Sequence, residues 1–173
     1  NNNDGIDSNG DMYINGGLTI SSGARAPEEG FDCDQNTFKI AGGVVVGIGG
    51  AISSPTASAC TQRSLIYNGV TSGTALQITN SEGEDLLTYQ VPTYSGGGST
   101  PPGGGPGGPG GGPGGGGLVL FFTSPELQEG SITVKQGGTI SGGKEFHGYY
   151  TNADYSGATS SQNVTISGMV TSF

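Results

Sequence analysis

The stretch that decides the fold is Met12–Leu18, MYINGGL, which returns 26 residues later as Phe38–Val44, FKIAGGV. The residues before it also repeat, since Asp4–Asp7, DGID, returns 25 residues later as Glu29–Asp32, EGFD. Repeats of roughly 20–50 residues are typical of solenoids, in which each repeat forms one coil. The spacing therefore predicts a β-solenoid in which the two copies stack as successive coils.

The remaining sequence also favours strands and turns. Short alternating runs lie between glycines, and no long stretch has the apolar spacing of a capped helix. We expect the Gly-Gly pairs to form corners with positive φ, and we expect Ile14 and Ile20 to stack on Ile40 and Val46. A shorter match relates Thr139–Gly142 to Thr165–Gly168. The prediction is one all-β solenoid domain over residues 1–173, with a β-sandwich as the main alternative.

Composition limits the possible partners. The chain has 173 residues, 37 of them Gly, with only 5 Lys and Arg and a formal net charge of −9. Such a charge repels nucleic acid and anionic membranes, and no apolar run approaches the roughly 18–20 residues of a membrane-spanning helix. The scarcity of Lys and the abundance of Gly, Ser, Thr and Asn favour an extracellular location.

The two cysteines fit this location. Cys33 and Cys60 are 27 residues apart, about one predicted coil, and adjacent strands lie ~4.8 Å apart. This separation suits a disulfide, and disulfides persist outside the cell. We therefore predict a disulfide between the two residues, with a pair of free thiols as the alternative.

Acidic residues concentrate near the start of the chain. If the copies stack, Asp4 lies over Glu29 and Asp7 over Asp32, and such carboxylates repel unless a cation lies between them or one is protonated. Oxygen ligands without nearby His or Cys select a hard cation, and calcium accepts irregular oxygen sets. A solvated acidic turn is the alternative. The predicted calcium ligands are Asp4, Asp7, Asn9, Asp11, Glu29, Asp32 and Asp34.

Three stretches carry a family resemblance. They are Glu29–Ser64, Asp4–Gly10 and Ser141–Gly148, and they resemble a family of secreted bacterial carbohydrate-binding domain proteins. The resemblance implies a right-handed parallel β-helix, calcium sites, and binding to plant-type polysaccharides such as cellulose or polygalacturonate.

Aromatic residues near the C-terminus offer a sugar-stacking platform, because exposed aromatic faces beside polar groups suit sugars. A cover over the end of the solenoid is the alternative. No residue is marked as a catalytic base and the only histidine is His147, so we expect a non-catalytic domain. The predicted platform residues are Phe146, His147, Tyr149, Tyr150 and Tyr155.

A glycine- and proline-rich insert occupies residues 96–117, where only Ser99 and Thr100 are neither Gly nor Pro. We expect an extended arm rather than a collagen-like helix, because the spacing is not strictly Gly-X-Y. The first predicted coil would leave strand edges unpaired, and open edges recruit other strands. An alternative function is therefore a structural subunit that assembles end to end with copies of itself into an extracellular filament.

Overall fold

The computed structural model describes residues 3–94 and 117–173, so the insert at 96–117 lies outside the described residues except for Gly117. The described residues form strands and turns without a helix, and none of them belongs to a helix that could cross a bilayer. The strands are β1 (Ile6–Asp7), β2 (Met12–Ser22), β3 (Phe31–Asp32), β4 (Phe38–Gly49), β5 (Ser64–Val70), β6 (Ala75–Asn80), β7 (Asp85–Gln90), β8 (Leu118–Thr123), β9 (Gly130–Gln136), β10 (Thr139–Ser141), β11 (Lys144–Phe146), β12 (Tyr149–Thr151), β13 (Asp154–Ser156), β14 (Ser160–Ile166) and β15 (Val170–Ser172).

Two large sheets contain most of these strands. The five-stranded sheet has the order β15-β5-β8-β4-β2, and the six-stranded sheet has the order β11-β12-β7-β6-β9-β14. Buried side chains from both sheets form one cluster, the intersheet core, with Val46 and Phe122 from the first sheet and Ile78 and Val134 from the second. The two sheets therefore pack against each other through a shared hydrophobic layer.

The prediction of a right-handed parallel β-solenoid is wrong. Among the described residues, parallel pairing is confined to β1–β3, β2–β4, β5–β15 and one isolated bridge, and every other strand pair is antiparallel. The antiparallel strand β8 separates β4 from β5, so no third coil continues the stack. The late match is not a structural repeat either, because β10 pairs with β13 while β14 pairs with β9.

The pairing of the first two copies is nevertheless confirmed. Ile14 pairs with Ile40, Ile20 with Val46 and, in the short β1–β3 ladder, Asp7 with Asp32. The two matches thus encode two parallel strand pairs, β2–β4 at the edge of a mixed sheet and the short β1–β3 ladder.

The Gly-Gly pairs of the two copies have the predicted positive φ at their second residue but do not form corners. Gly17 and Gly43 have φ of 82° and 95°, and β2 and β4 both continue past them with an irregular register. Phe38 and Ile40 face one side of the sheet, whereas Val44 and Val46 pack on the intersheet core. The bulge at the glycines therefore reverses which face of the sheet alternate side chains occupy. This is expected because side chains alternate with a period of two, so one extra residue shifts them all to the opposite face.

A second cluster, the outer core, covers the opposite face of the five-stranded sheet. Its centre is a trio of fully buried rings, Phe31, Phe38 and Phe121, with centroids 5.6–5.8 Å apart. Cys33 and Cys60 also belong to it. The first copy, the acidic turns and the loop between β4 and β5 are anchored to the sheet through this cluster.

Candidate functional site

The outward surface of the six-stranded sheet is almost entirely polar. Leu76 and Ile78 of β6 are buried in the intersheet core, so the residues that alternate with them point away from it. The register aligns these outward residues in two cross-strand rows, which we call the polar face. One row is Tyr150, Thr88, Gln77, Lys135 and Ser161, and the other is Asp85, Thr79, Thr133 and Asn163.

Hydrogen bonds order the side chains of the polar face. The Thr133 hydroxyl donates to Asn163 Oδ1 at 3.0 Å, and Lys135 Nζ donates to Gln77 Oε1 at 3.4 Å. Thr88, which is fully buried, donates to both carboxylate oxygens of Asp85 at 2.9–3.0 Å. Thr79 and Thr88 are buried, so the exposed and half-buried members of the rows present the donors and acceptors of this face, and Asp85 and Lys135 are the formally charged members of the two rows.

A pocket of about 310 Å³ lies at one end of the polar face, between β7 and β12. Asp85 and Thr88 line one side, and Tyr149, Tyr150 and Asn152 line the other. Partial burial raises the pKa of Asp85, although hydrogen bonds with Thr88 and Gln77 and the charge of Lys135 act in the opposite direction. The pocket therefore combines a carboxylate, a hydroxyl, an amide and a tyrosine ring.

The predicted aromatic platform is divided in the structure. Phe146 pairs with Tyr149 across the β11–β12 hairpin, and Glu145 pairs with Tyr150. Directly paired residues share a face, so Phe146 and Tyr149 lie on the side of the intersheet core while Tyr150 lies on the polar face. Tyr149 packs against that core, and Phe146 is 54% exposed at the sheet edge.

The other two platform residues have local roles. His147 lies in the hairpin turn with φ of 48°, and its ring meets Phe146 edge-on at 4.5 Å. Tyr155 belongs to a separate two-stranded sheet, where its hydroxyl donates to the Gly137 carbonyl at 2.8 Å. Of the predicted set, Tyr149 and Tyr150 line the pocket.

The two acidic turns lie side by side as predicted, with Asp7 beside Asp32 and Asp4 beside Glu29. Asp7 pairs with Asp32, and Asp4 Oδ1 accepts a hydrogen bond from the Glu29 amide. Burial raises the pKa of Glu29, and the charges of Asp32 and Asp4 raise it further, while hydrogen bonds from Ser53 lower it.

Several of these carboxylates cap the turns. Asp32 Oδ1 accepts from the Asp34 amide at 2.8 Å, and Asp11 accepts from the Thr37 amide at 2.9 Å and from the Tyr13 hydroxyl at 2.7 Å. Asn9 and Asp34 are exposed in the turns. Within the described ranges, no three His, Cys, Asp or Glu side chains form a group that could hold a metal ion.

The predicted disulfide is not formed, because Cys33 and Cys60 are both free and buried in the outer core. The Cys60 thiol contacts the main chain of β4, at 3.3 Å from the Ile40 nitrogen and 3.6 Å from the Phe38 oxygen. The Cys33 thiol lies 3.8 Å from the Asn36 oxygen. Within the outer core, each thiol therefore contacts a main-chain polar atom and not the other sulfur.

Sequence reasoning missed most of the polar face. Its signal is the alternation of polar with buried apolar residues in Leu76–Asn80, Ile132–Gln136 and Gln162–Ile166. No protein-family model, curated protein or solved structure matches this chain.

Proposed function

We propose that this chain is a non-catalytic, extracellular domain that binds polysaccharide on the polar face. The observation that carries the proposal is the pair of cross-strand rows, one ending at Tyr150 and the other at Asp85, which both line the same pocket. A sugar presents hydroxyls that both donate and accept, and amide and hydroxyl side chains match them. The apolar face of a sugar ring packs on an aromatic ring, which Tyr150 provides.

A neutral glycan of the cellulose type fits this face better than polygalacturonate. The chain has a net charge of −9, and Tyr150 has Glu145 as its cross-strand neighbour and Asp85 in the same pocket. Lys135 is the cationic residue of the two rows. A polyuronate would meet mainly like charge here, and like charge disfavours binding.

Titration calorimetry with soluble cello-oligosaccharides and oligogalacturonates tests the proposal. We expect Tyr150→Ala to weaken binding of the neutral oligosaccharide about tenfold through loss of ring stacking. Gln77→Ala should weaken it about fivefold, since an amide that bonds the sugar is removed.

Phe146→Ala is the matched aromatic control, because Phe146 lies on the opposite side of the same hairpin, and it should leave affinity unchanged. Binding that survives Tyr150→Ala but is lost in Phe146→Ala would contradict the proposal. Preference for the charged oligosaccharide would contradict the neutral-glycan assignment.

The alternative, end-to-end assembly into a filament, was based on the open ends of a solenoid. Among the described residues, the antiparallel strand β8 lies between β4 and β5, so these strands do not form the stack of coils on which that geometry depends.

A further inference from the structure

The outermost strand of the five-stranded sheet, β2, is long, and among the described residues no other strand pairs with its outer edge. It runs for 11 residues, Met12–Ser22, and its one strand partner among the described residues is β4. Its sequence, MYINGGLTISS, contains neither a charged residue nor a proline. Proteins usually protect an exposed edge with such residues or with a covering segment, since an open edge recruits further strands.

The backbone directions show which groups are available. The Met12 amide donates to Thr37 and the Gly23 amide donates to Ile48, both at 2.8 Å and both toward β4. Main-chain groups of alternate residues point to opposite edges of a strand. Because Gly23 points toward β4, alternation through the regular part of β2 directs the main-chain groups of Ile20 and Leu18 to the open edge. Because Met12 also points toward β4, the main-chain groups of the next residue, Tyr13, point to the open edge as well.

Exposed apolar side chains also occur on this strand. Five large hydrophobic residues are exposed in the described part of the chain, and two of them, Tyr13 and Leu18, belong to β2. The other long edge strand, β14, has no exposed large hydrophobic residue. β15, at the far side of the five-stranded sheet, is only three residues long. β2 is therefore the edge best suited to a partner strand.

Charge selects the orientation of that partner. Asp4, Asp7 and Asp11 all lie at or before the start of β2. Parallel pairing of two β2 strands would place these carboxylates beside their own copies, where like charges destabilise the pair. Antiparallel pairing about a two-fold axis places the two acidic ends at opposite ends of the joint, and such an interface is closed and self-complementary.

We propose that two copies of this chain pair antiparallel through the open edges of β2, which joins their five-stranded sheets into one continuous sheet. The interface uses the main-chain groups of β2 together with Tyr13 and Leu18. It leaves the polar face of each copy free, because that face belongs to the other sheet.

Sedimentation velocity of the full chain over a range of concentrations tests this proposal. Wild type should form a species of twice the chain mass. Leu18→Lys places two like charges in the joint and should weaken dimerisation about tenfold or more, and Tyr13→Lys should do the same at the other end of β2. Thr139→Lys adds the same charge on exposed strand β10 and should leave the dimer intact.

Circular dichroism of each variant should match wild type, so that loss of the dimer reports on the edge alone. A monomeric wild type at the highest concentration would overturn the proposal, as would equal dimerisation by Leu18→Lys, Tyr13→Lys and Thr139→Lys. Species larger than the dimer would overturn the closed two-fold arrangement.

Discussion

At the residue scale, Glu29 couples the acidic turns to pH. Its raised pKa has burial as the leading cause, so the folded protein holds this proton more tightly than the unfolded chain, whose value is near 4.5. The stabilising contribution of the protonated form is complete below the unfolded pKa and is lost as pH rises through the folded pKa.

Glu29→Gln should therefore raise Tm at neutral pH in EDTA, by an amount on the order of 2 °C. The difference from wild type should vanish in acid, below the unfolded pKa. Thermal melts across pH measure this, with exposed Glu126→Gln as the control. A variant that is less stable than wild type at neutral pH in EDTA would contradict the assigned pKa shift.

At the scale of the element, Gly17 and Gly43 lie where β2 and β4 exchange the faces to which their side chains point, and substitutions there measure what each glycine contributes. Both Gly17 and Gly43 have positive φ, but a Cβ at Gly43 would lie 2.6 Å from the Gly17 oxygen, whereas a Cβ at Gly17 meets nothing within 4 Å. Gly17→Ala should cost about 1–2 kcal/mol of unfolding free energy from φ alone. Gly43→Ala should cost about 1–3 kcal/mol more because it also crowds the neighbouring strand.

Urea denaturation of the two variants measures the difference. Gly16→Ala is the control, since a Cβ there also meets nothing within 4 Å and its φ is not positive. If Gly17→Ala and Gly43→Ala lower the unfolding free energy equally, the neighbouring strand moves aside for the Cβ at Gly43 and the predicted crowding is wrong.

Strand pairing also shows what the sequence could predict. Register between the copies was predictable because the pattern of apolar residues and the Gly-Gly pair repeats along Met12–Leu18 and Phe38–Val44. The partner of β4 on its other side was not, because β8 lies about 70 residues later in sequence and resembles any buried strand. Tyr150 was predicted as a candidate from its residue type, but its separation from Phe146 depends on hairpin register. Gln77 and Asp85 meet through the local β6–β7 hairpin, whereas Asn163 joins their face only through the pairing of β9 with β6 and of β14 with β9.

At the scale of the whole molecule, calcium remains a prediction that links the acidic turns to stability. We expect an ion between Asp7 and Asp32 to relieve their repulsion and to bind only the folded chain. A calcium concentration about 100 times Kd should raise Tm by roughly 5–10 °C over EDTA, and Asp7→Asn with Asp32→Asn should abolish the increase. If wild type melts at the same temperature in calcium and in EDTA, the calcium prediction is wrong and these aspartates serve only as solvated caps of their turns.

Strand β8 has a further consequence for how the chain acquires this structure. It is the central strand of its sheet, and its alternate residues enter different cores, with Leu120 and Phe122 on one side and Phe121 on the other. Neither core is complete until β8 pairs with β4 and β5, which are synthesised well before it. During translation the first half of the chain therefore cannot complete its packing until residues 118–123 are synthesised, and pairing over such sequence distances is slow. Because one strand completes both layers, we expect them to be gained and lost in a single cooperative transition.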